Sequence, residues 1–221
     1  MTVNPPCRFG GRVETVARRS LFVFRTLYED QRILFDGFNL YYRAVRSTPY
    51  KWLDLYEVAQ RLAPKHTINR IRYFTANTQP LPSDPDIPVR QEIYIRALET
   101  IPNLSVHRGQ FKRRQKYGPL TAPIAGLPSY VQIEVFEEKG TDVNLASYML
   151  VDGYEGDYEQ AVVVSNDSDL SLPIAMIVGK LRLPVGVVNP NRDPKAVTPV
   201  ELTNAATFTR RLRETSLRDC Q

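Results

Sequence analysis

From Gln31 onward, short β-rich runs alternate with stretches of helical spacing, and that alternation restricts the folds open to this chain more than any other feature. RILF at 32–35 has the pattern of a buried strand that stops at the Asp36-Gly37 turn. Trp52, Leu53, Leu55, Tyr56, Val58, Ala59 and Leu62 then recur at helical spacing until Pro64 ends the run. Further strands are expected at 68–76, 104–111, 131–138, 161–165 and 183–189, and further helices over 89–100, from Thr141, over 170–180 and over 197–213. In the helix from Thr141, the spacing turns Val143, Leu145, Ala146 and Met149 toward the core. Such repetition implies an α/β architecture, with a central, mainly parallel sheet and helices on both faces. The near-continuous apolar run at 161–165 fits a central strand covered on both sides. Right-handed crossovers then bring strand ends of one polarity to one edge, where open sheets bind their ligands.

A chain of 221 residues that is 43% hydrophobic has apolar material for one good core. Residues 31–213 are expected to form that domain, with 1–30 an N-terminal tail and 214–221 a C-terminal one. The first thirty residues mix Pro, Gly and Arg without periodicity. Arg18-Arg19 precede an apolar run too short for an export signal, and no stretch approaches the roughly 18 apolar residues of a membrane span. A soluble, cytoplasmic protein with no membrane partner is therefore expected. Only Cys7 and Cys220 occur, which excludes a disulfide framework and a Cys-rich zinc site and suits a reducing compartment. The net charge of +5 is compatible with a polyanionic partner without identifying one.

Four acids carry the chemistry. Asp36 closes the first strand, Asp167 and Asp169 follow the apolar strand at 161–165, and Asp142 falls at the start of a helix, where exposed amides favour a carboxylate. Singly, each acid is explained as a turn or cap residue. Together they place unpaired carboxylates on one sheet edge, where they repel one another unless a cation binds. A hard cation such as Mg2+ takes oxygen ligands, keeps several waters and suits phosphodiester chemistry.

Read in order, LFDGFNLYY, EEKGTDVNLASYML and AVVVSNDSDLSLPI resemble the NYN domain family, whose members look like PIN-domain nucleases, and within it the bacterial branch. The resemblance covers about residues 31–190, leaving the N-terminal tail outside and raising the expectation of a start codon assigned too far upstream. It departs from the family where Asn166 replaces the usual Gly. It implies a three-layer α/β/α, PIN-like (Rossmannoid) fold and a ribonuclease, an endonuclease before an exonuclease. By motif, Asp36, Asp142, Asp167 and Asp169 would hold one or two Mg2+ or Mn2+ ions, with Asn39 completing the catalytic set. RNA is the implied partner, and the frequent pairing of PIN-like proteins leaves room for a homodimer.

Substrate contacts are assigned from charge and position. Lys139 adjoins the Asp142 motif, while Arg43, with Tyr41, Tyr42 and Arg46, follows the first acid and lines the same crevice, one of the two tyrosines being core. Lys112, Arg113, Arg114 and Lys116, flanked by Phe111 and Tyr117, are expected in a long exposed loop, a combination of charge and rings suited to single-stranded nucleic acid. Ser165 and Ser168 are secondary candidates, and His66 and His107 have no ligand spacing between them. Two other readings compete: a non-catalytic RNA-binding adaptor with the same fold, and a haloacid dehalogenase-type phosphatase. The latter needs a second acid where the chain has Phe38.

Overall fold

The structure is a computed structural model, and it describes residues 30–221. The expected tail at 1–30 and the question of its start lie outside the described residues, apart from Asp30. Seven strands form one sheet in the order β4-β3-β2-β1-β5-β6-β7. These are β1 (Asp30–Asp36), β2 (Thr67–Ala76), β3 (Leu104–Pro119), β4 (Tyr130–Lys139), β5 (Gln160–Val164), β6 (Val185–Asn189) and β7 (Phe208–Arg211). Every neighbouring pair is parallel except β3 with β4. The chain builds outward from β1 through β2 to β3, then restarts on the other side of β1 with β5. The order reverses between β1 and β5, and the crevice there is where an open sheet of this kind receives a ligand.

Alternate residues of the central strands feed two cores. Ile33 and Phe35 of β1, with Val162 and Val164 of β5, point to the face covered by the helices Leu55–Leu62 (α2) and Ile87–Leu98 (α3). Leu34 and Val163 point to the opposite face, beneath the helix Thr141–Glu155 (α4) and the helix Ser171–Met176 (α5), which continues as a wider turn through Ile177–Leu181. Burial on both faces explains why β1 and β5 read as unbroken apolar runs. The result is the three-layer α/β/α arrangement with a mainly parallel sheet.

A short helix, Gly37–Leu40 (α1), follows β1 and widens into a π turn through Tyr41–Val45. Gly37 is required where it stands, because a Cβ there would approach the Phe74 carbonyl oxygen to 2.6 Å and the Tyr73 ring to 2.7 Å. Helix α2 starts at Leu55 instead of Trp52, because the Asp54 carboxylate accepts hydrogen bonds from the Tyr56 and Glu57 amides. Helix α3 takes Pro88 into its first turn and so begins two residues before the expected boundary.

Four expectations fail. Residues 112–119 are strand, not loop: β3 runs on past the sheet and pairs antiparallel with β4, from Gln110↔Lys139 to Pro119↔Tyr130, as a two-stranded ribbon. Neither face of this part of β3 is buried, and KRRQKYGP lacks the apolar–polar alternation that reveals a strand, whereas its partner β4 shows it and lies where expected. The terminal helix at 197–213 is instead a short helix, Val200–Ala205 (α6), followed by β7 beside β6. The segment expected as a C-terminal tail forms the helix Glu214–Asp219 (α7), and Leu217 and Cys220 are buried in the core. Val143, expected to face the core, is 68% exposed, whereas Leu145 and Met149 are fully buried as expected.

Candidate active site

Asp36 is the last residue of β1 and is only 4% exposed. Its Oδ1 accepts the Asn39 amide at 2.9 Å, capping α1, and its Oδ2 accepts the Ser165 hydroxyl at 2.8 Å. Ser165 Oγ in turn accepts the Asp167 amide at 3.1 Å. Asp167 caps the next turn, its Oδ1 accepting the Asp169 amide at 3.0 Å. Asn39 reaches across the same gap, its Oδ1 accepting the Asn166 amide at 3.2 Å. The ends of β1 and β5, adjacent in the sheet, are thus laced together at the switch point. Turn chemistry and clustering of charge are not alternatives here, since Asp36 and Asp167 serve as caps while contributing to one acidic edge.

Asp142 reaches that edge by another route. The ribbon carries the chain out along β3 and back along β4, ending at Lys139 opposite Gln110 beside the carboxyl end of β2. Gly140, at φ 94°, then turns the chain into α4, whose first turn carries Asp142. The antiparallel return strand, not a parallel strand end, brings this acid into place. Burial, followed by the charges of Asp36, Asp167, Glu138 and Asp169, pushes its carboxyl up to about 7. Asp36 is also raised by burial, with Asp167 and Glu138 adding to the effect and the Asn39 and Ser165 hydrogen bonds opposing it. The acids at the ends of three segments therefore share one electrostatic environment.

Glu138 was not among the residues singled out from the sequence. It acts on both Asp36 and Asp142, and its Oε1 accepts the Thr141 amide at 3.0 Å. EEKGTD offered a signal, because Glu138 stands four residues before Asp142 across a glycine turn. Asn166, which replaces the family's Gly, occupies ordinary backbone, since Arg182 is the sole non-glycine at positive φ among the described residues. The turn therefore does not need glycine.

The remaining candidates are spread more widely. Lys139 is exposed and pairs with Glu137 at 3.3 Å. Arg43, Tyr41 and Tyr42 are all exposed on the turn after α1, so neither tyrosine is core. Lys112, Arg113, Arg114 and Lys116 lie along the ribbon, where Arg113 pairs with Glu134 at 2.5 Å and Lys116 with Glu137. Phe111, at the ribbon's base, packs edge-on against Phe38 of α1 at 5.5 Å. His107 lies between Phe74 and Tyr148, is pushed down to about 4 by burial and the nearby Arg72 guanidinium, and contacts Arg72 and Ser105 instead of the acids.

Whether these residues fit a divalent cation depends on their chemistry. The donors are all oxygen, from carboxylates and an amide, as Mg2+ and Mn2+ prefer. Among the described residues, no three His, Cys, Asp or Glu side chains are drawn together into a ready cage. An open arrangement of this kind fits an ion that keeps several waters and shares its shell with a phosphate.

The sheet order, with acids at the ends of the two strands where it reverses, makes this a doubly wound α/β protein whose crevice is the place for a ligand. The NYN domain matches residues 32–211, and the chain belongs to the NYN domain family. It is 30% identical over 185 residues to the 6-hydroxy-3-succinoylpyridine 3-monooxygenase of Pseudomonas putida (strain DSM 28022 / S16), covering 72% of this chain and 59% of that protein's length. The fold also matches the crystal structure of a protein of unknown function from Vibrio parahaemolyticus RIMD 2210633, with a TM-score of 0.54 and 18% identity over 85% of this chain and 94% of that one. Among the described residues, no helix is long and apolar enough to cross a membrane.

Proposed function

We propose that the chain is a divalent-metal-dependent endoribonuclease. The observation that carries this reading is the electrostatic coupling at the switch-point edge, where burial first and then the charges of Asp36, Asp167, Glu138 and Asp169 push Asp142 up to about 7. Membership of a PIN-like nuclease family supports it. Asp36, Asp142, Asp167 and Asp169 would hold Mg2+ or Mn2+, which supplies an acidified water and counter-charge for the phosphate. Asp36 is held in one orientation by Asn39 and Ser165, so it meets a ligand without rearranging. Asn39 sets the separation of the two strand ends without adding charge. Lys139 and Arg43, near the Asp142 and Asp36 motifs in the chain, would contact the RNA, and Lys112, Arg113, Arg114 and Lys116 would offer it a path along the ribbon. A cytoplasmic location and self-association into a homodimer belong to the same reading.

The test is cleavage of labelled single-stranded and hairpin RNAs by purified protein with Mn2+. Internal cuts abolished by chelation and by Asp36→Asn are expected; cleavage that survives both overturns the proposal, and RNA binding without cleavage under any divalent ion favours an adaptor. The relative from Pseudomonas putida motivates a second reading, oxygenation of a small heteroaromatic ring. Oxygen uptake with 6-hydroxy-3-succinoylpyridine and a nicotinamide reductant, unaffected by Asp36→Asn, would favour it.

A further inference from the structure

A cavity of about 320 Å³ lies on the far side of α1 from the acids. Small-molecule sites begin at about this size, and they are mostly apolar with a few convergent polar groups. Its walls are unusually aromatic. Trp52 meets Tyr94 edge-on at 6.0 Å, Tyr94 meets Tyr73 at 6.3 Å, and Phe38 stacks on Tyr42 at 6.2 Å and 20°. The structural reading of such rings is a core that has not closed. Against it, Trp52 is 50% exposed and Tyr42 55%, although each ring borders a concavity that its neighbours line.

The polar groups of the cavity are held in place. Gln91 accepts the Thr78 amide and hydroxyl at 2.8 and 2.9 Å and donates to the Ala76 carbonyl at 2.9 Å and the Thr75 hydroxyl at 3.3 Å. The Thr75 hydroxyl, 2% exposed, also hydrogen-bonds Tyr73, so the polar groups of this wall hold one another in place. Cations stand at the rim: Lys51 is exposed, and Arg46 lies 5.2 Å over the Tyr42 ring. Flat rings, a fixed polar floor and a cationic rim match one ligand chemistry, a planar base joined to a phosphate.

Position ties this chemistry to the acids. Gly37 and Phe38 line the cavity, and they sit between Asp36, which faces the acidic crevice, and Asn39, which bonds Asn166 across it. Only the thickness of α1, about 10 Å with side chains, separates the two, a distance bridged by one or two nucleotides. We propose that the cavity is a base-binding subsite, taking an unpaired nucleobase of single-stranded RNA one or two nucleotides from the phosphate held at the acids. The assignment rests on the ribonuclease reading for the identity of the strand.

Trp52 is the only tryptophan in the chain, so its fluorescence reports on this cavity alone. In chelator, full-length protein is titrated with pentauridylate, pentaadenylate and a ribose-phosphate pentamer lacking bases. The base-bearing pentamers are expected to quench Trp52 and to bind about 10-fold or more tightly than the abasic one. Tyr42→Ala, at an exposed ring that the fold does not need, is expected to remove most of that difference and leave abasic binding unchanged. With Mn2+, the same variant is expected to raise KM for RNA cleavage about 10-fold with kcat within about twofold. Equal affinity for abasic and intact strands, no effect of Tyr42→Ala, or a free mononucleotide binding as tightly as the pentamer overturns the proposal. The two readings fail separately. Cleavage indifferent to missing bases removes the subsite and leaves the nuclease, whereas base-dependent quenching without cleavage under any metal does the reverse.

Discussion

The Ser165 hydroxyl donates to Asp36 Oδ2 at 2.8 Å across adjacent parallel strands, joining the two halves of the sheet where their order reverses. Ser165 is fully buried, and its oxygen also accepts the Asp167 amide. One side chain therefore fixes two of the acids.

Removing that hydroxyl tests its positioning role. The Ser165 bond favours the ionised form of Asp36, so in Ser165→Ala the Asp36 carboxyl rises further above its ordinary value. The acidic limb of the rate–pH profile is expected to move to higher pH, with cleavage at neutral pH falling about 10-fold, as for loss of about 1.4 kcal/mol. A uniform loss at all pH values would mark Ser165 as merely structural.

How much of this was legible in the sequence depended on burial. Asp36, Asp167 and Asp169 follow strands covered on both faces, whose apolar runs are unmistakable, so their shared edge followed from parallel topology. The motif puts Asp142 at a helix start, but the outward half of the ribbon that leads to it has little buried surface to pattern its residues. For the same reason Lys112 to Lys116 read as a loop. Glu138 went unnoticed because adjacent Glu137 and Glu138 differ only in where they point, Glu137 pairing with Lys116 and Lys139 while Glu138 faces the acids. Neither the cavity nor its Trp52 had a signature, since rings from α1, β2, α3 and the loop before α2 meet only in three dimensions.

Asp142 makes stability a reporter of the acidic cluster. Its carboxyl is raised from 3.8 to about 7, so the folded state holds the proton more tightly than the unfolded one between those values. The stability this contributes is complete below about pH 4 and lost as the pH rises through about 7. In metal-free protein, Asp142→Asn is therefore expected to match the parent near pH 4 and to exceed it at pH 8 by about 1 kcal/mol, after allowing for solvent screening, or roughly 2–4 °C in Tm. Mn2+ is expected to stabilise the parent more than the variant, and thermal melts across pH with and without Mn2+ check both.

The ribbon's cations are not equivalent. Lys112 and Arg114 stand on one face, two residues apart, whereas Arg113 points the other way and is tied to Glu134. The double substitution Lys112→Ala with Arg114→Ala is expected to weaken binding of all single-stranded RNAs alike and to lower the slope of log affinity against log salt by about 1.4. Arg113→Ala is expected to change the slope by less. Equal slopes for the double variant and the parent would take the ribbon out of the RNA path.

Behind the acidic edge, Asp152 is 2% exposed and binds two guanidiniums, Arg32 at 2.6 Å and Arg72 through both oxygens at 2.8 Å. Arg32 is itself 1% exposed, and burial lowers its pKa although Asp152 opposes the shift. Taking away the carboxylate strips Arg72 of its two-pronged partner and leaves Arg32 only the half-exposed Asp157 at 3.4 Å, so Asp152→Ala is expected to cost about 3 kcal/mol. His107 extends this network through its Nε2 contact with Arg72 at 3.0 Å, and it is neutral in the folded state because it is pushed down to about 4. A depressed folded value contributes stability that is complete above the ordinary value of 6.5 and lost as the pH falls toward 4. Asp142 acts with the opposite sign in the same window, so His107→Gln is expected to make the slope of unfolding free energy against pH more negative between about pH 4 and 6.5, as read by urea unfolding. An unchanged slope in that variant would mean that His107 does not titrate with folding.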